Sequence, residues 1–193
     1  MKTNEIDQRK PRILCIVGRS GSGKTTLEQV LCGDLFFQRI VSFTTRNKRE
    51  SEVQGREHFF VDGNDFTRDG DVLACTEYGG YRYWAYTSQL SPLGINTYVI
   101  DAEGLRDLKQ RAHGRFTIRT IYVRRDDLSD IDPERLKRDE GREQLSILDA
   151  DMVILNNRDL EYFTRNIRFN YKKPILAMFG ISADCEGYHA MTE

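Results

Sequence analysis

The chain has 193 residues, with 29 Lys plus Arg against 30 Asp plus Glu and a formal net charge of -1, so no surplus of either sign marks it for a polyanion such as nucleic acid. At 39% apolar and 31% charged residues it lies in the globular range, and a chain of this length buries roughly 70% of its unfolded surface. Cys15, Cys32, Cys75 and Cys185 never form C-x-x-C, which argues against a zinc knuckle or redox dithiol, and no run approaches the ~18 apolar residues of a membrane span or forms a secretory leader; a cytoplasmic protein is expected.

In chain order, residues 1–11 are polar and read as a flexible lead. Residues 12–17 read as a buried strand, followed by a glycine-rich stretch. Over 25–32 the spacing of Leu27, Val30 and Leu31 predicts a helix, with Gly33 as its stop. Further strands are expected at 39–43, 57–61, 72–77, 81–85, 97–101, 116–123 and 152–156, and helices at 102–112, 133–148 and 159–169. Apolar strands alternating with helices at both ends imply a parallel sheet covered on both faces. From 39 to 86 the strands are closely spaced and broken by Asp62-Gly63-Asn64 and Gly79-Gly80, which reads as a small antiparallel sheet inserted into the body. The body is then 12–38 plus 87–169, and 170–193 is a tail whose apolar piece, 174–180, has no assigned place.

Gly18-Arg19-Ser20-Gly21-Ser22-Gly23-Lys24-Thr25 fits G-x-x-x-x-G-K-[ST], and it sits between a predicted strand and a predicted helix as that motif's mechanism requires. Glycines let backbone N–H groups wrap a phosphate, and the helix N-terminus adds partial positive charge. A nucleoside triphosphate is the expected ligand, held by residues 18–25 and Thr26, with Lys24 between the β- and γ-phosphates and the Thr25 hydroxyl on Mg2+. A chance match in a chain this long has odds on the order of one in a hundred. The bland alternative is a glycine-rich turn without a ligand.

A phosphate loop does not say where the phosphate goes. Arg46 and Arg49, three apart beyond a predicted strand, can bring two guanidinium forks onto one phosphomonoester, or they belong to a solvated, charge-mixed loop. Asp101 ends an apolar strand, where a carboxylate serves Mg2+ or the acceptor, or caps the helix that begins at Ala102. Arg124, Arg125, Arg135, Lys137, Arg138 and Arg142 supply cations for a migrating phosphoryl group, or a solvent-exposed face with pairs such as Glu134 to Arg138.

The run 42–60, S-x-T-T-R-x-x-R-x-x-E-x-x-G-x-x-x-x-F, resembles the monophosphate-binding signature of guanylate kinases, and the resemblance extends over most of 12–157. It implies an α/β P-loop NTPase fold of three layers, with a parallel central sheet, an inserted antiparallel acceptor-binding subdomain and a short lid at about 124–142. The implied activity is Mg2+-dependent phosphorylation of GMP or dGMP by ATP, with a small-molecule nucleotide as partner and neither nucleic acid nor membrane. By the resemblance, Arg46, Arg49 and Tyr83 hold the acceptor's phosphate, and His58 stands where a tyrosine usually assists. Ser42 touches the base, Asp101 lies near it, and Asn157 packs near adenine. Lys24, Arg135 and Arg138 act on the transferred phosphate.

The chain also departs from that pattern. Ala74 stands where an acid reads guanine, with Glu77 as a substitute only if its strand bends, and Trp84-Ala85 replaces a glycine and a hydroxyl. The lid is about three helical turns short. Competing readings are a GTPase switch, from D-x-x-G at Asp101 and a loose N-K-x-D at Asn156, a non-catalytic binding module, and a kinase for another nucleotide or a ribose bisphosphate. The arginine pair has no purpose in a switch, and a scaffold has no need of the triphosphate loop.

Overall fold

Strand β1 (Arg12–Val17) is buried on both sides, with Leu14 and Ile16 in one apolar cluster and Ile13, Cys15 and Val17 in another. Such a strand belongs at the centre of a parallel sheet with cover above and below. The computed structural model, which describes residues 10–63, 66, 71–140 and 145–182, shows that sheet in the order β2 (Phe37–Arg39), β7 (Ile95–Val99), β1, β8 (Thr117–Arg124), β9 (Met152–Leu155), with every pairing parallel.

On one face α1 (Lys24–Leu31), α4 (Leu160–Asn166) and α5 (Lys172–Ala177) bring Leu27, Leu31, Phe163, Ile175 and Leu176 against Leu14, Ile16, Ile121 and Val123. On the other, α2 (Ala102–Ala112) packs Leu105 and Leu108 against Ile13, Cys15 and Tyr98. Each such buried aliphatic contributes roughly 1.5–3 kcal/mol relative to exposure.

The second sheet runs β4 (Phe59–Phe60), β3 (Phe43–Thr44), β6 (Tyr81–Tyr86), β5 (Val72–Tyr78). Its β5–β6 and β3–β6 pairings are antiparallel, while β4 joins β3 in parallel, so the insert is mixed rather than purely antiparallel. The register places Thr44, Tyr83 and Thr76 in one row and Phe43, Trp84 and Cys75 in the next, on opposite faces of the sheet. α2 packs against β5, and Asp107 accepts the Cys75 N–H at 2.7 Å, which satisfies a donor on that edge strand.

Several boundaries differ from the sequence reading. The expected strand at 39–43 is two strands in two sheets: the Ile40 N–H still bonds Thr97 O, and the chain then crosses to the insert before Phe43. The expected helix at 133–148 is α3 (Pro133–Glu140), and Ile147–Asp149 forms a 3-10 turn capped by the Ser146 hydroxyl. Helix α4 does not stop at 169 but passes through a π turn, Ile167–Tyr171, into α5. Pro174 therefore falls in the first turn of α5, where a missing N–H is tolerated. The stretch 174–180 thus has its place, with Ile175, Leu176 and Phe179 fully buried.

Candidate active site

The loop between β1 and α1 enters the helix at Gly23, whose φ of 102° lies in the left-handed region. A side chain there would be strained, and its Cβ would stand 2.5 Å from Asn156 Nδ2. No side chain among the described residues caps α1, and an N-terminus of this kind is where backbone N–H groups meet an anion. The Lys24 ammonium donates to Gly18 O and Arg19 O, both at 2.7 Å, and Asn156 at the end of β9 donates to Ser22 O at 2.9 Å. Asn156 is a brace the sequence reading missed; it had chosen its neighbour.

Across a cleft of about 380 Å³ lies the second set of charges. Arg46 makes two contacts with Glu52, 2.8 and 3.0 Å, and lies over the Phe60 ring. The same carboxylate accepts the Arg49 backbone N–H at 2.8 Å and lies 3.7 Å from its guanidinium. Burial raises the Glu52 carboxyl, but its hydrogen bonds from Arg46 and the Arg49 backbone and the two positive charges outweigh this and hold it below its ordinary value. Arg46 also interacts with the Tyr83 side chain. Glu52 carries the signature's acid, and its part in aligning the two arginines appears only in three dimensions.

His58 lies in the same wall, its ring 5.7 Å from that of Tyr83 and its Nδ1 buried without a hydrogen-bond partner among the described residues. Burial first, and the Arg46 charge second, lower its imidazole from 6.5 to about 4, so it is neutral at pH 7. Ser42 donates to the Tyr98 hydroxyl at 3.3 Å, and burial pushes that phenol upward. Asp101 caps α2, accepting the Gly104 N–H, and it also lines the cleft.

Gly18, Ser20, Gly21, Lys24, Thr25, Ser42, Arg46, Arg49, His58, Tyr83 and Asp101 therefore share one cleft. Arg19, Ser22, Gly23 and Thr26 are not in its lining, and two expected residues from elsewhere in the chain, Glu77 and Asn157, do not join it either. Glu77 faces away from Ala74 and Thr76, is 68% exposed and pairs with Arg82 at 2.8 Å, because the strand irregularity falls before Ala74 and leaves the parity at 77 unchanged. Asn157 holds Asp126 through both its amide and its carbonyl, outside the cleft lining.

Trp84, which the sequence presented as an intruder at the acceptor site, is turned to the far face of the insert. It is fully buried there with Phe43 and Phe66, at ring distances of 5.7 and 5.1 Å. The side chains of Arg135 and Arg138, and all of Arg142, lie outside the described part. Of the other lid cations, Arg124 pairs with Asp126, while Arg125 pairs with Asp130 and donates to Gly21 O at 3.3 Å.

The donor set suits a hard cation. Thr25 offers a hydroxyl and Asp101 a carboxylate in the same cleft, and no cluster of three or more His, Cys, Asp or Glu occurs among the described residues. One or two protein oxygens completed by nucleotide phosphates and water is how Mg2+ is ordinarily held.

Comparison with known proteins agrees with this geometry. The family model described as guanylate kinase matches residues 10–170. The guanylate kinase of Chlamydia felis is 30% identical over 143 residues, covering 69% of this chain and 67% of that protein. The guanylate kinase of Bartonella quintana is 32% identical over 121 residues, covering 59% of this chain and a little over half, 55%, of that one. A crystal structure of guanylate kinase from Anaplasma phagocytophilum shares the fold, with a TM-score of 0.61 at 22% identity over 83% of this chain and 84% of that chain.

Proposed function

The chain belongs to the guanylate kinase family, a family of nucleoside monophosphate kinases, and from that premise we propose that its cleft moves the terminal phosphoryl group of ATP onto GMP. The observation that carries the reading is that the Gly18–Thr25 loop and the Arg46–Glu52–Arg49 group line one cleft, so two anionic substrates meet there.

The loop N–H groups bind the donor's phosphates and Lys24 leaves its carbonyl partners to follow the charge that develops on the migrating group. Arg46 and Arg49, with Tyr83, grip the acceptor's own phosphate and fix its far oxygen for in-line attack. Mg2+, held by Thr25 with Asp101 nearby, supplies neutralising charge when bound with ATP. Arg135 and Arg138 of α3 complete the cationic cover. No helix among the described residues is long and apolar enough to cross a membrane.

A second acceptor class has a specific observation in its favour. With Ala74 buried and Glu77 turned outward, β5 presents no carboxylate to the cleft, and the base meets Ser42, Thr76 and Tyr98 instead. An assay of ADP release across GMP, dGMP, AMP, UMP, CMP and ribose 1,5-bisphosphate decides between them. GMP or dGMP turning over best supports the first reading, and GTP hydrolysis without any acceptor would reject both. Arg46→Ala is expected to raise the acceptor KM and lower kcat together, because positioning and charge share that contact. Unchanged turnover would remove Arg46 from its role.

A further inference from the structure

Helix α3 reaches back to the phosphate loop through a residue that no motif singles out. Asp139, only 5% exposed, accepts the Ser20 backbone N–H at 2.6 Å on one carboxylate oxygen and the Ser20 hydroxyl at 3.0 Å on the other. Both contacts join residues 119 positions apart. A buried carboxylate taking a backbone N–H at this distance is a strong, directional tether.

Two further contacts lie along the same approach. Ile131, just before α3, lies against Gly21: with φ at 74°, a Cβ on that glycine would come within 2.2 Å of Ile131 Cδ1. Arg125, fixed by Asp130, donates to Gly21 O. The segment from Arg125 to Asp139 is thus pinned to the loop at its start, middle and end.

We propose that Asp139 is a positioning residue that latches the lid helix onto the donor loop at the cleft, so that the backbone of α3 is held in its closed place. The proposal rests on the kinase reading above. A lid this short has few residues with which to find its closed position, and a carboxylate anchored on Ser20 fixes α3 one helical turn from Arg135 and beside Arg138. Asp139 touches the loop and not the reacting atoms in this arrangement. Its removal therefore acts on the rate of the bound complex rather than on the binding of either substrate.

The test compares wild type, Asp139→Asn, Asp139→Ala and Ile131→Ala by steady-state kinetics with Mg-ATP and GMP, and by hydrogen exchange of residues 133–140 without nucleotide. In both Asp139 variants kcat is expected to fall about tenfold or more, with each KM within about threefold and the thermal midpoint nearly unchanged. Exchange across α3 should quicken by a similar factor. Ile131→Ala, which removes an apolar contact with Gly21 and leaves the carboxylate tether in place, should give a smaller loss in the same direction. Retention of kcat within twofold, or unchanged exchange, overturns the latch. Tighter ATP binding with kcat preserved overturns it too, since the carboxylate would then be a plug. Wild type that turns over no acceptor defeats the kinase reading instead, and the exchange measurement still decides whether Asp139 holds the helix.

Discussion

Arg46 and Glu52 face each other through two parallel N–H···O contacts of 2.8 and 3.0 Å, in a wall where both side chains are almost enclosed. This pairing fixes the plane of the guanidinium before any substrate arrives, and Glu52 simultaneously takes the Arg49 backbone N–H. Removing the acid frees both arginines to sample other directions. Glu52→Ala is expected to raise the acceptor KM about tenfold while leaving ATP affinity within about twofold, because the lost order lies on one side of the cleft. Isothermal titration with each nucleotide separately measures both; equal losses for the two would reject the assignment of Glu52 to the acceptor side alone.

Asn156 makes the complementary case on the donor side. Its amide bond to Ser22 O joins the end of β9 to the phosphate loop. Asn156→Ala should cost about 1 kcal/mol of stability, the usual net worth of such a bond, and weaken ATP binding about fivefold without changing the acceptor KM. Asn157→Ala, whose partner is Asp126 rather than the loop, should leave ATP affinity close to wild type. Loss of affinity in the second variant and not the first would restore the role that sequence reasoning gave to Asn157.

The β1–loop–α1 unit was legible because its determinants are local: a buried run, glycines, then helical spacing, all within twenty residues. The stretch from Arg39 to Phe43 was not, since an apolar run reads the same whether it stays in one sheet or crosses to another. The place of 174–180 was hidden for a different reason. A proline normally ends a helix, but the preceding π turn shifts the register so that it falls in a new first turn. Within the site, Arg46, Arg49 and Tyr83 could be read from spacing and resemblance. Asn156 and Asp139 act through partners more than a hundred residues away that only the fold brings near, whereas Glu52 acts on Arg46 and Arg49, six and three positions before it, through a loop conformation that spacing alone does not give. Strand parity had already placed Glu77 opposite Ala74, and the fold kept it there.

Trp84 offers a stability test. It is the sole tryptophan of the chain and is fully buried against Phe43 and Phe66 on the face of the insert away from the cleft. Trp84→Ala leaves a large cavity and should destabilise the fold by about 3–5 kcal/mol, whereas Trp84→Phe should cost much less. The emission of Trp84 reports unfolding of the wild type in denaturant, and circular dichroism compares the variants. If Trp84→Phe folds normally yet loses acceptor binding, the side chain does more than fill that cluster.

His58 gives stability a pH dependence of predictable sign. Its neighbours Arg46 and Arg39 oppose a proton on the imidazole and Glu52 favours one, but burial dominates and the folded value is about 4 against an ordinary 6.5. Between those values the unfolded chain binds the proton that the native state refuses, so stability rises with pH through this window. The contribution is fully present above pH 6.5 and is lost as pH falls toward 4, with a ceiling of about 3 kcal/mol at 1.36 kcal/mol per pH decade. Urea unfolding at pH 4, 5, 6 and 7 should therefore show a steeper fall in wild type than in His58→Gln, which has no proton to refuse. Parallel curves for the two proteins would mean that the imidazole titrates normally in the fold, and that its enclosure beside Arg46 is looser than the structure shows.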